Sequence, residues 1–164
     1  MFKVFVGFDS TNYGQNMAYK VCQRSINKYN PNIKVNKIVR QDLIDQKLFW
    51  RDDNSGATEF TYTRFLVPYL SNYEGWAMFC DSDFLWFCDV EEIFKKYADD
   101  KLAVCCVKHN YTKCHGKTKM DGRPQQYYPR KNWSSLMLFN CSHPSVKKLT
   151  LENVSTQSPT WLHR

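Results

Sequence analysis

Two apolar runs, Trp76 to Cys80 and Phe84 to Cys88, bracket the tripeptide Asp81-Ser82-Asp83. Five apolar residues without a polar break predict a central strand buried on both faces, as in a parallel sheet. Near the start, Lys3-Val-Phe-Val-Gly-Phe-Asp9 predicts a first strand ending in a polar turn. Gly14 to Lys28 carries Met17, Val21 and Ile26 at roughly helical spacing and predicts a helix that Pro31 ends. Ile33 to Val39 alternates apolar and polar residues and predicts a second strand. Strand, helix, strand is the opening of a βαβ unit with a right-handed crossover.

Further along, Leu43 to Trp50 predicts a short helix and Arg51 to Gly56 a polar loop. Thr58 is placed as an N-cap with Glu59 in the first turn. The helix it opens runs through Phe60, Arg64, Phe65 and Val67 to about Tyr69, its end distorted by Pro68. Asp89 is placed as the N-cap of a helix through Glu92, Ile93 and Phe94 to Tyr97. Leu102 to Val107 predicts another buried strand, Trp133 to Phe139 a strand, and Val146 to Val154 a helix. This order predicts one α/β sandwich domain on a mostly parallel sheet, and 164 residues suffice for a real core.

The acidic pair falls where the buried strand ends, the edge at which open α/β sheets bind ligands. With near-extended backbone there, side chains at i and i+2 point the same way, and both carboxylates reach one divalent cation. Like charges beside so much apolar surface are costly unless a cation neutralises them. Asp and Ser are also good turn formers, so a three-residue hairpin loop serves the same pattern. Against the hairpin, no Gly supplies the positive φ that short hairpins favour.

Composition adds location and charge. Met-Phe-Lys-Val-Phe-Val is too short for a signal peptide, and no later run is long enough to span a membrane, so a cytoplasmic location is expected. The seven cysteines form no CxxC pair and several lie in apolar runs, which predicts buried reduced thiols. Lys101 to Lys131 holds eight basic residues and one acidic residue, Asp121, and so carries the whole net charge of +7. That imbalance favours an anionic ligand near this stretch, although a solvated basic loop has the same composition. The loop from Lys108 to Lys131 is long enough to be functional or mobile.

Five blocks in order carry a resemblance: Val4-Phe-Val-Gly-Phe-Asp9, Thr58-Glu-Phe-Thr-Tyr-Thr-Arg-Phe-Leu-Val-Pro-Tyr-Leu70, Gly75-Trp-Ala-Met-Phe-Cys-Asp-Ser-Asp83, Lys119-Met-Asp-Gly122 and Tyr128-Pro-Arg-Lys-Asn-Trp-Ser-Ser-Leu-Met-Leu-Phe-Asn-Cys141. Together they resemble nucleotide-sugar glycosyltransferases of the GT-A fold, in particular the small glycosyltransferase-like group of bacteria, phages and large DNA viruses. The resemblance implies a GT-A-like, Rossmann-like α/β/α sandwich. It implies a UDP- or GDP-type sugar donor, a saccharide or glycoprotein acceptor, and Mn²⁺ or Mg²⁺. Phe8 and Asp9 would hold the base, with Arg64, Asp81 and Ser82 on the rest of the nucleotide. Asp81 and Asp83 would hold the metal through a DxD motif, and Trp133, Ser134 and Ser135 would border sugar and acceptor. A hard cation on carboxylates and diphosphate stabilises the charge on the departing oxygen.

Asp121, the sole carboxylate of the basic stretch, is a candidate base for an inverting reaction; Asp121-Gly122 also reads as a plain turn. Transferases of this fold commonly take a further metal ligand, often His, well beyond the acidic pair. The chain stops at Trp161-Leu-His-Arg164, so the resemblance implies a transferase lacking its C-terminal segment, with His163 in a preceding helix block. Two other classes use the same residues. A metal-dependent phosphohydrolase or nuclease would need more carboxylates or His than stand out. A nucleic-acid-binding module would use Lys101 to Lys131, but no recognised motif is present and no nucleic acid is expected as a partner.

Overall fold

The computed structural model describes residues 2–11, 13–52, 56–110, 118, 130 and 133–163. Five strands form one sheet: β1 (Lys3–Phe8), β2 (Val35–Val39), β3 (Trp76–Cys80), β4 (Val104–Cys106) and β5 (Leu136–Asn140), in the order β2-β1-β3-β5-β4. β1 pairs in parallel with β2 and with β3, whereas β5 runs antiparallel to both β3 and β4. The sheet is therefore mixed, and the expected parallel pairing holds for its first three strands only. β3 is the central strand, buried along all but its first residue.

The pleat sorts side chains by parity. Val4, Val6 and Phe8 of β1 join Met78, Cys80 and Leu138 on one face, under α1 (Tyr13–Tyr29). Phe5, Ala77, Phe79, Met137 and Phe139 fill the other face. That face is covered by α2 (Arg40–Asp45), α3 (Phe60–Thr63) and α4 (Val67–Leu70). Helices on both faces make an α/β sandwich, with a separate apolar cluster in each layer.

Several boundaries differ from those expected. The inward stripe of α1 is Tyr19, Cys22, Ser25 and Ile26, while Met17 and Val21 are 61% and 45% exposed. α2 begins at Arg40, upstream of the expected Leu43, because β2 runs straight into it through Val39. Thr58 is not the N-cap of α3; Glu59 holds that position without a side-chain cap, and the Thr58 N–H donates to Thr61 Oγ1. Pro68 opens α4 and leaves its mark one turn earlier. It has no N–H for the Arg64 carbonyl, which takes the Val67 N–H instead, so Arg64–Leu66 is a turn of 3₁₀ helix between α3 and α4.

Phe84 to Cys88 forms no strand, so the acidic tripeptide is not a hairpin loop. The chain next enters α5 (Glu91–Tyr97), where Asp89 lies one residue before the N-cap Val90 and accepts the Glu91 N–H at 2.9 Å. β4 is a half-exposed edge strand of three residues, shorter and less buried than expected. Trp133–Ser135 is a 3₁₀ turn leading into β5. After a further 3₁₀ turn, Val146–Lys148, come α6 (Leu151–Thr156) and α7 (Pro159–His163). No helix among the described residues is long and apolar enough to cross a membrane.

Candidate functional site

The site is built on a glycine. Gly7 lies on β1 beside the end of β3, and a Cβ there would stand 2.5 Å from Cγ of Phe60. Its absence lets the Phe60 ring settle on the strand, which brings the next helical turn down onto the sheet. That turn carries Arg64, which is 5% exposed and lies 4.9 Å from the Phe79 ring and 5.3 Å from the Phe60 ring. Its Nε donates to Phe60 O at 3.0 Å and its Nη1 to Ser134 O at 2.7 Å. The guanidinium is held by aromatic faces and two backbone carbonyls before any carboxylate is counted.

Asp81 follows the last residue of β3, and its N–H extends the ladder to Ser135 O at 2.9 Å. Its Oδ1 lies 3.0 Å from Arg64 Nη1. That contact is a close ion pair, and Oδ1 is buried against the guanidinium. The side chain as a whole keeps 22% exposure, so one edge of the carboxylate still reaches solvent. Burial pushes the Asp81 carboxyl up to about 6; the Arg64 charge pulls it down and the Asp83 charge adds to the rise.

Ser82 and Asp83 sit in a turn, not in extended backbone, so the i and i+2 argument for convergent carboxylates does not apply as first framed. Ser82 is buried toward α1, where its hydroxyl donates to Gln15 Oε1. Asp83 is exposed, yet its charge is felt at Asp81. The pair thus offers one sheltered and one solvated carboxylate, both hard oxygen donors. A sheltered carboxylate with one edge open to solvent and a second carboxylate beside it fits a divalent cation that takes its other ligands from phosphate and water. Among the described residues no three His, Cys, Asp or Glu side chains cluster as a metal cage.

The remaining expected residues are distributed as follows. Asp9 is buried, with Oδ1 accepting from Thr11 N at 3.1 Å and Thr11 Oγ1 at 2.6 Å and Oδ2 from Glu59 N at 3.3 Å. Both of its oxygens are committed to fixing the loop after β1 against the start of α3. Phe8 faces α1, edge-on to Tyr19 at 5.7 Å with Lys37 Nζ 4.3 Å from its ring centre. Ser134 and Ser135 join Arg64 and Asp81 through their carbonyls, and Trp133 Nε1 donates to His109 O at 3.4 Å. Asp121 and most of the basic stretch lie outside the described residues. His163 ends α7 and packs its ring 5.0 Å from Phe65.

Arg64, Asp81, Ser134 and Ser135 therefore come together, whereas Phe8 belongs to the opposite layer. Sequence reasoning missed Gln15 and the Glu59 carboxylate, which accepts Ser10 N at 2.7 Å and Ser10 Oγ at 2.9 Å. A polar residue in the first turn of a helix that follows a β-strand is the signal that could have found Gln15. A cavity of about 610 Å³ lies elsewhere, along β2 and the start of β1, between Lys3, Phe5, Lys34, Asn36 and Leu43. The acidic pair does not line it.

No family model matches the chain. Among curated proteins it is similar to Protein CDI of Arabidopsis thaliana, with 46% identity over 165 residues. The alignment takes in 99% of this chain and 62% of that protein, so the chain spans less than two thirds of the relative's length.

Proposed function

We propose that the chain is a metal-dependent glycosyltransferase of GT-A type that moves a sugar from a nucleoside-diphosphate donor. One observation carries the reading: a sheltered carboxylate at the end of the central strand, ion-paired to Arg64, with Asp83 beside it and one edge still open to solvent. Asp81 and Asp83 would hold Mn²⁺ or Mg²⁺, which as a Lewis acid would stabilise charge on the departing diphosphate. Arg64 keeps Asp81 ionised near neutral pH and, through Ser134, docks the turn on which Trp133 to Ser135 would border the sugar. The ordered sequence blocks add support from outside the geometry.

Thermal unfolding with nucleoside diphosphates, with and without Mn²⁺, tests the reading. A ligand at about 100 times its Kd stabilises the fold by about 2.7 kcal/mol. The wild-type chain should gain that in a metal-dependent way, and Asp81→Asn or Asp83→Asn should not. An equal metal-dependent shift in both variants would sink the proposal.

A further inference from the structure

Cys22 lies in the middle of α1 and Cys80 ends β3, and their sulfurs are 3.9 Å apart, both sealed from solvent. Sugar transfer as proposed uses neither. The other described cysteines stand apart: Cys141 is buried in the opposite layer, Cys105 is half-buried, and Cys88 and Cys106 are exposed. Trp86 closes the pair from the side of the 84–88 loop. Its backbone N–H donates to Ser25 Oγ at 3.0 Å, and that hydroxyl donates to Cys22 O at 2.7 Å. Its indole N–H is buried without an aligned acceptor and has the two sulfurs as polar neighbours. On either side of it Leu85 and Phe87 face solvent, Phe87 at 76%. The cover over the sulfurs is therefore a short loop anchored by the Trp86 indole, by its backbone bond to Ser25 and by the Phe84 ring stacked on it.

We infer that Cys22 and Cys80 are a paired dithiol that a hydroperoxide oxidises to an intramolecular disulfide. In the first step one thiol attacks the peroxide; the S–O bond forms, the O–O and S–H bonds break, and an alcohol (water, from hydrogen peroxide) leaves carrying the thiol proton. In the second the other thiol attacks the resulting sulfenic acid; the S–S bond forms, the S–O bond breaks, and water leaves with the thiol proton. Each sulfur gives up one electron and the peroxide takes both. A disulfide holds its sulfurs about 2.05 Å apart, so the two side chains must close by about 2 Å. The product ties α1 to β3 one residue before Asp81, on the helix whose Gln15 holds Ser82. Oxidation therefore sets the spacing between the sheet end and the helix above it.

Treating the folded chain with one equivalent of hydrogen peroxide, alkylating free thiols and mapping non-reduced peptides tests this. A Cys22–Cys80 peptide lighter by two hydrogens, reversed by dithiothreitol and retained in Cys88→Ser, is expected. Cross-links running through Cys88 or Cys106 would overturn it. Recovery of Cys22 and Cys80 as separate thiols or sulfinic acids, or cross-linking only in denaturant, would do the same.

Discussion

At the end of β3 two neighbouring residues meet opposite chemistry. Asp81 turns toward the 3₁₀ turn of Arg64 and meets its guanidinium, with the Asp83 charge acting on it as well. Ser82 turns toward α1 and finds a neutral amide, over a layer of thiols and aromatic rings. The turn that follows β3 separates them, leaving Asp81 against Arg64 and Ser82 against Gln15 of α1. The difference shows where this molecule has concentrated electrostatic cost. One layer is closed by packing and neutral hydrogen bonds, whereas the other keeps a carboxylate half out of water with its charge incompletely matched. Such a group is poor for stability and well suited to a cation.

Arg64→Met should break the comparison most severely. It leaves Asp81 sheltered beside Asp83 without its cation and strips the donor from Ser134 O. Removing one partner of a buried pair costs about 3–5 kcal/mol. Chemical denaturation at about pH 7.5 should show a loss of that order, shrinking toward about pH 5 as Asp81 takes up a proton. An equal loss at both values would assign the effect to packing rather than charge.

Asp81→Asn should act in the opposite direction. Between the unfolded carboxyl value of 3.8 and about 6 the folded chain keeps a proton that the unfolded chain releases. Stability therefore falls as pH rises through that window and stays low above it. A shift of that size corresponds to about 3 kcal/mol at neutral pH, so the neutral isostere should recover up to about that much and flatten the pH profile. Loss of stability in this variant at every pH would mean that the ion pair contributes more than burial removes.

Gly7→Ala tests how the charged layer is assembled. The added methyl meets the Phe60 ring, and overpacking of this kind costs about 1–3 kcal/mol. It should also move Arg64, so its cost should be coupled to that of Arg64→Met in a double-mutant cycle; simple additivity would separate the two. Ser82→Ala should be the mildest, about 1 kcal/mol for one neutral hydrogen bond, with no dependence on pH between about 5 and 8. A pH-dependent loss there would show that the two layers are not electrically separate.

Part of this was readable in the chain, although of the two apolar runs only the first became a strand and Phe84 to Cys88 did not. Trp76 to Cys80 is a strand of those bounds, and the acidic pair stands at its end as expected. What failed was choice between adjacent stripes. Val21 and Cys22 are neighbours that each begin a helical face, and only the sheet beneath decides that Tyr19, Cys22 and Ile26 turn inward. Strand direction failed for a similar reason, since nothing in Leu136 to Asn140 states which way it will run. Arg64 was placed near the site by the resemblance, but its partners were not legible. Pro68 reshaped its turn, and Ser134 came from 70 residues away.

The strand order has a consequence for the route by which the chain reaches this fold. β1, β2 and β3 pair among themselves, but within the sheet β4 touches only β5, which is made later and enters between β3 and β4. Until Leu136–Asn140 arrives, Val104–Cys106 has no sheet neighbour and the Met78 edge of β3 stands open. Assembly should thus be split in time, with a parallel half that can zip as it emerges and an antiparallel half that closes when β5 inserts. In pulse-labelled hydrogen exchange the amides of β4 should gain protection together with those of β5, and after those of β1.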